Sequence, residues 1–91
     1  MSWVPQPSSR PEFQARRVAF GRRVRELRES RGLTQEQVAE RAELDVKTIS
    51  RVENAQGVPD LDRIFALADA LDVPAAELLG NIPSRSDREA T

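Results

Sequence analysis

The stretch GLTQEQVAERAELDVKTISRVEN, residues 32–54, contains two short helical segments. Thr34 and Gln37 have the spacing of a capping box, which predicts that the first helix begins there and extends to Ala42. Asp45 is a favourable N-cap residue and predicts a second helix that extends to the end of the stretch. Because only two residues separate the segments, the two helices must meet at a steep angle.

The second of these helices has one apolar face and one polar face. Ile49 and Val52 form the apolar stripe that attaches it to the core. Two short helices joined by a tight turn, with polar residues exposed on the second, are typical of a helix-turn-helix. Arg and Lys can donate to guanine O6 and N7 in the major groove of DNA, although an ordinary amphipathic surface helix has the same periodicity. The outward face carries Val46, Lys47, Ser50, Arg51 and Asn54.

Three more helical segments flank this stretch. Counted in chain order, the first of the five helices spans about Glu12 to Ser30. It is followed by Gly32, which suits the left-handed conformation that ends a helix. The fourth begins at Asp60, and the fifth opens near Pro74. No segment alternates apolar and polar residues for long enough to form a strand, so the sequence predicts an all-α domain of five helices. The apolar face predicted for the fourth helix comprises Leu61, Ile64, Phe65, Ala68 and Leu71.

The two ends differ in composition from the helical part. Residues 1–11 contain three Pro and three Ser, and we expect them to form a flexible N-terminal arm. Residues 83–91 are expected to form a disordered C-terminal tail. The predicted domain therefore spans residues 12–82.

The composition excludes several kinds of chemistry. The 91 residues contain no Cys, His or Tyr, so the usual zinc, haem and iron–sulfur ligands and the Ser-His-Asp triad are missing. The neighbouring carboxylates of Asp60 and Asp62 lie at a helix start, where they favour helix formation. We therefore predict no enzyme activity, no metal, no cofactor and no small-molecule ligand. The absence of cysteine, of a secretory signal and of a membrane-spanning run favours a cytoplasmic protein.

The charge is unevenly distributed along the chain. The formal net charge of −1, from 14 basic and 15 acidic residues, gives no overall indication of nucleic-acid binding. Residues 10–31, however, contain eight Arg and three Glu, whereas residues 32–80 contain four basic and ten acidic residues. The protein is therefore predicted to be electrostatically polarised.

The spacing of many residues resembles that of the phage-repressor and Cro-type helix-turn-helix domains, also called the xenobiotic-response-element (XRE) family. This resemblance implies a lambda-repressor-like five-helix fold and a sequence-specific transcriptional regulator that binds double-stranded DNA. The matching segments are FGRRVRELR at 20–28, RGLTQEQVA at 31–39, TISRVEN at 48–54, Pro59, and IFALADALDVP at 64–74.

The resemblance also implies roles for individual residues. An ion pair between Arg28 and Glu53 is expected to tie the first helix to the end of the third. Two positions depart from the family pattern, because Glu43 and Ala55 stand where Gly is usual, and Glu43 must tolerate a backbone that Gly favours. The predicted base contacts are Val46, Lys47, Thr48 and Arg51. The predicted phosphate contacts are Gln35, Ser50, Asn54 and Gln56.

A single recognition helix covers only a few base pairs, so we expect a homodimer that binds a pseudo-palindrome with half-sites about 34 Å apart. Leu78, Leu79 and Ile82 form the predicted dimer interface, although some of them must pack on the chain's own core. An alternative is an antitoxin or controller-type module whose main role is to bind a partner protein. The sequence around residues 42–53 is similar to the controller type.

Overall fold

A computed structural model describes residues 6–80 and residue 82. Within this part of the chain there are five α-helices and no strand, which confirms the predicted all-α class. A short 3-10 helix, Pro7–Ser9, lies in the segment expected to be a flexible arm. The first five residues of that arm and the predicted tail lie outside the described residues. The helices are α1 (Pro11–Ser30), α2 (Gln35–Ala42), α3 (Val46–Glu53), α4 (Leu61–Ala70) and α5 (Ala75–Leu79).

The helix starts follow from capping side chains. The backbone N–H of Gln37 donates to Thr34 Oγ1 at 3.1 Å, and the N–H of Thr34 donates to Gln37 Oε1 at 2.8 Å, which completes the predicted capping box. Asp45 accepts from the N–H of Lys47 at 2.9 Å and so begins α3. Each cap satisfies a backbone donor that the first turn of a helix leaves unpaired.

The α2–α3 turn depends on one residue in the left-handed conformation. Glu43 has φ 56° and ψ 42°, as expected from its place in the pattern, and Leu44 N–H then donates to the Ala39 carbonyl at 2.9 Å. Ala55 ends α3 in the same way, with φ 57°. A left-handed backbone costs a residue with a Cβ about 1–2 kcal/mol. Both turns form despite this cost.

Every helix contributes to one hydrophobic core. Ile49 and Val52 of α3 are buried, as predicted, and so fix the rotation of α3 about its axis. The buried apolar residues are Phe20, Val24, Leu27, Val38, Ala39, Ile49, Val52, Leu67, Ala68, Ala70, Leu71 and Leu78.

The predicted apolar face of α4 is partly wrong. Leu61 is 65% exposed and Phe65 is 51% exposed, whereas Leu67 and Ala70 are buried in their place. The helix is apolar on most of its circumference, so that two different stripes have helical spacing. Contacts with the other helices, rather than the spacing, decide which stripe faces the core.

The predicted dimer interface also needs correction. Leu78 is fully buried in the core of its own chain and presents no surface to a partner. Ile82 is half-buried and packs against the same core. Leu79 is 45% exposed and is the member of the predicted set with a large free surface. The reason is that α5 has only five residues and closes one end of the core with Leu78.

A glycine sets the distance between α1 and α3. A Cβ atom at Gly21 would overlap the carbonyl oxygen of Val52 and would lie 2.9 Å from that of Glu53. The two helices therefore approach at backbone distance, and no side chain separates them at Gly21. This close approach brings the end of α3, including Glu53, against α1.

Candidate nucleic-acid interface

The outward face of α3 presents two unpaired cations. Lys47 and Arg51 are exposed and lie four residues apart, on adjacent turns of the helix. Neither side chain has a partner among residues 6–80. Val46 is also exposed, and Thr48 is half-buried. All four predicted base contacts thus lie at or next to the surface of one short helix.

Two of the predicted phosphate contacts are bonded to each other. Asn54 Nδ2 donates to the Ser50 carbonyl at 2.8 Å and approaches Ser50 Oγ at 3.4 Å. The Asn54 side chain therefore folds back on the last turn of α3. Gln56 is exposed in the following loop, and its N–H donates to the Arg51 carbonyl at 2.7 Å. Gln56 and Arg51 both line an open cleft of about 200 Å³ beside α3.

Gln35, the remaining predicted phosphate contact, is the first residue of α2. Its Nε2 donates to Glu53 Oε1 at 3.1 Å. This contact uses one of the two amide hydrogens and leaves the other for a second acceptor. The spacing of the sequence does not predict this bond to Glu53.

The predicted ion pair between Arg28 and Glu53 is present and is bidentate. Arg28 Nε donates to Glu53 Oε2 at 2.6 Å, and Arg28 Nη2 donates to Oε1 at 3.0 Å. Arg28 Nη1 also donates to the Leu33 carbonyl at 2.9 Å. The Glu53 side chain is 0% exposed and that of Arg28 is 15% exposed. The pair therefore ties α1 both to the end of α3 and to the segment before α2.

A second arginine contacts the same carboxylate. Arg25 Nε donates to Glu53 Oε1 at 3.3 Å, and its side chain is 46% exposed. Burial of Glu53 would raise the pKa of its carboxyl, but hydrogen bonds from Arg28, Gln35 and Arg25 outweigh burial and hold that pKa below its usual value. Glu53 is therefore an ionised acceptor for side chains from both α1 and α2.

No group of three or more acidic, His or Cys residues is placed to hold a metal ion in the part of the chain described. No helix there is long and apolar enough to cross a membrane.

The arrangement of α2, a two-residue turn and α3 with its exposed polar face defines a helix-turn-helix domain. The remaining helices enclose the core behind this unit. The Helix-turn-helix domain family matches residues 19–79, and the chain belongs to this family as an XRE-type, lambda-repressor-like member.

Relatives of known name support this classification. The chain is 42% identical over 62 residues to the HTH-type transcriptional repressor RghR of Bacillus subtilis (strain 168), a match that covers 67% of this chain and 46% of RghR. The restriction-modification controller protein C.AhdI from Aeromonas hydrophila has 44% identity and a TM-score of 0.67, with 68% of this chain and 94% of C.AhdI covered. The hypothetical transcription factor NHTF from Neisseria has 28% identity and a TM-score of 0.70, with 98% and 100% covered. These names describe regulators rather than enzymes.

Proposed function

We propose that this protein is a transcriptional regulator that binds a specific double-stranded DNA sequence with α3 in the major groove. The observation that carries the proposal is the pair of unpaired cations Lys47 and Arg51, exposed four residues apart on a helix whose rotation is fixed by Ile49 and Val52. Because these cations have no intramolecular partner among the described residues, contacts with guanine O6 and N7 would cost no existing bond. Val46 and Thr48 lie beside them and could contact a thymine methyl group.

Phosphate contacts would set the position of α3 in the groove. Gln35 lies in the first turn of α2, where free backbone N–H groups and the helix dipole favour an anion. Its bond to Glu53 orients the amide before DNA arrives. Ser50, Asn54 and Gln56 would contribute sugar or phosphate contacts from α3 and the loop that follows it. Such contacts position the protein and carry little sequence information.

We propose further that the DNA-binding form is a homodimer. The exposed apolar side chains of Val58, Leu61 and Phe65 in and before α4, together with Leu79 of α5, are large for a free surface. Leu61 and Phe65 lie one helical turn apart, so that a second copy related by a twofold axis could cover the same residues on both chains. A twofold dimer also places two α3 helices on a pseudo-palindrome, which a monomer cannot do.

The similarity to C.AhdI favours one kind of regulator. C.AhdI is a restriction-modification controller protein, and the match covers almost all of it. A controller-type role is therefore the second candidate within the same DNA-binding function. An antitoxin would instead use the apolar face of α4 to hold a different protein.

The experiment is selection from random duplex DNA over a series of salt concentrations. We expect enrichment of a pseudo-palindrome whose half-sites lie about one helical turn apart, about 34 Å. Binding that weakens with salt but enriches no sequence would contradict the proposal. A partner protein that binds this chain at a fixed stoichiometry in the absence of DNA, and that prevents formation of the homodimer, would favour the antitoxin alternative.

A further inference from the structure

A second cationic site lies between α1 and the loop that follows α3. Here an open cleft of about 200 Å³ is formed by side chains from both elements. Of the residues that line this cleft, only Asn54 is a predicted DNA contact. The lining residues are Val18, Arg22, Arg25, Glu53, Asn54 and Ala55.

Among the described residues, Glu53 is the only one with a carboxylate that lines this cleft, and its charge is already balanced. Glu53 receives a bidentate pair of hydrogen bonds from Arg28, and its side chain is fully buried. Because one cation balances the charge of Glu53, Arg25 is a second cation on the same carboxylate. Only Arg25 Nε reaches Glu53, at 3.3 Å. Its two terminal amino groups have no hydrogen-bond partner among the described residues, and Arg25 is one of the residues that line the cleft.

Arg22 adds another positive charge three residues earlier on α1. It is exposed and has no partner within residues 6–80. Like charges three residues apart on a helix destabilise it slightly, and Arg22 forms no ion pair with the acids of α1 in the described part of the chain. Arg23, by contrast, points to α5 and pairs with Glu77 at 3.2 Å. The cleft thus has two guanidinium groups beside one carboxylate that Arg28 already pairs, whereas the neighbouring Arg23 has a carboxylate of its own in Glu77.

The cleft adjoins the surface proposed to hold DNA. Gln35 Nε2 and Arg25 Nε donate to the same atom, Glu53 Oε1, at 3.1 and 3.3 Å. The two nitrogens therefore lie no farther apart than the sum of these distances. Asn54, another proposed phosphate contact, lines the cleft directly. An anion in the cleft would lie next to the phosphate bound at the start of α2.

We infer that Arg22 and Arg25 together bind one backbone phosphate of the DNA, which extends the contact surface from α3 to α1. The forked guanidinium group suits phosphate oxygens, and Glu53 holds Arg25 in place before DNA binds. This inference rests on the proposed function, since the ligand is a phosphodiester of the bound duplex.

The test is the salt dependence of binding to the selected duplex by the Arg22→Gln, Arg25→Gln double variant. Loss of one phosphate contact reduces the magnitude of the negative slope of log K against log salt by about 0.9, and the preferred sequence should stay the same. The Arg23→Gln variant removes a charge from the same helix on the α5 side and should leave the slope unchanged. The Arg22→Gln single variant loses no described contact, so its thermal unfolding should match that of the wild type.

Two failures are distinguishable. If the wild type binds the selected duplex but the double variant and the Arg23→Gln control have the same slope, the phosphate site in the cleft is refuted and the proposed function stands. If the wild type binds no duplex with sequence preference, the proposed function fails and this inference fails with it.

Discussion

Removal of the Glu53 carboxylate tests the role of the cluster at the end of α3. In Glu53→Ala, Arg28 keeps a guanidinium that is only 15% exposed and loses both of its partners on the carboxylate. Gln35 also loses its acceptor. The contact with Arg25 adds little, because that side chain is 46% exposed and is screened by water. A buried charge left without its partner costs about 3–5 kcal/mol.

This loss is large compared with the total stability. A domain with about 75 ordered residues has a free energy of unfolding of about 4–11 kcal/mol. We therefore expect Glu53→Ala to lose about a quarter or more of this free energy and to unfold at a much lower urea concentration than the wild type. The measurement is urea unfolding followed by far-ultraviolet circular dichroism. Glu40→Ala, which removes an exposed carboxylate with no partner among the described residues, is the matched control and should change stability by less than about 0.5 kcal/mol. Equal midpoints for the two variants would refute the argument.

The pH dependence of the free energy of unfolding separates the effect of the Glu53 charge from the effect of the side chain's shape. The pKa of Glu53 is lowered in the folded protein, so its contribution to stability is complete above the unfolded pKa of about 4.3. That contribution is lost as the pH falls through the lower folded pKa. Glu53→Gln keeps an acceptor oxygen but has no charge to titrate. The stability difference between the wild type and Glu53→Gln should therefore be constant near neutral pH and should shrink below about pH 4. A difference independent of pH would exclude the ionised carboxylate as the cause.

Four further predictions follow from other parts of the molecule. Gly21→Ala should lower the free energy of unfolding by about 1–3 kcal/mol in urea titrations, because its Cβ would force α1 and α3 apart, and a gain from helix propensity would contradict this. Glu43→Gly should raise the free energy of unfolding by up to about 1 kcal/mol, since glycine relieves the strain of the left-handed backbone. A lower free energy of unfolding would show that the turn is unstrained. Lys47→Ala should weaken binding to the selected duplex by about 1–3 kcal/mol in gel-shift titrations and relax the preference at particular bases, whereas an equal loss on all sequences would indicate a phosphate contact. Leu61→Ser should shift a dimer toward monomer in sedimentation equilibrium by at least about tenfold in Kd, with Val18→Ser as the control, and an unchanged Kd would exclude α4 from the interface.

The features that residue spacing alone could predict are those with local causes, whereas the ion pair between Arg28 and Glu53, 25 residues apart, was implied by the family resemblance. The capping box of Thr34 and Gln37 involves atoms three residues apart, and Asp45 acts on the first turn of its own helix. The departure from glycine at Glu43 likewise indicated a left-handed residue. In each case the residue types and their spacing contain the physical reason for the structure.

The features that were missed depend on contacts between distant parts of the chain. Arg25 lies 28 residues from Glu53, and Gln35 lies 18 residues from it, so no helical spacing relates the three. The exposure of Leu61 and the burial of Leu78 also depend on how the helices pack around the core. Apolar side chains alone do not distinguish a core face from an interface, because both bury the same kind of surface.

The distribution of charge gains a structural explanation from these contacts. Several acids are paired with cations within the protein: Glu53 pairs with Arg28 and Arg25, Asp60 pairs with Arg63, and Glu77 pairs with Arg23. The cations Lys47, Arg51 and Arg22 have no such partner among the described residues. A net charge of −1 therefore conceals a surface on which positive charge remains available near α3. Because phosphate binding depends on this local surplus and is screened over about 10 Å at 0.1 M salt, the affinity for DNA should follow the unpaired arginines and not the total charge.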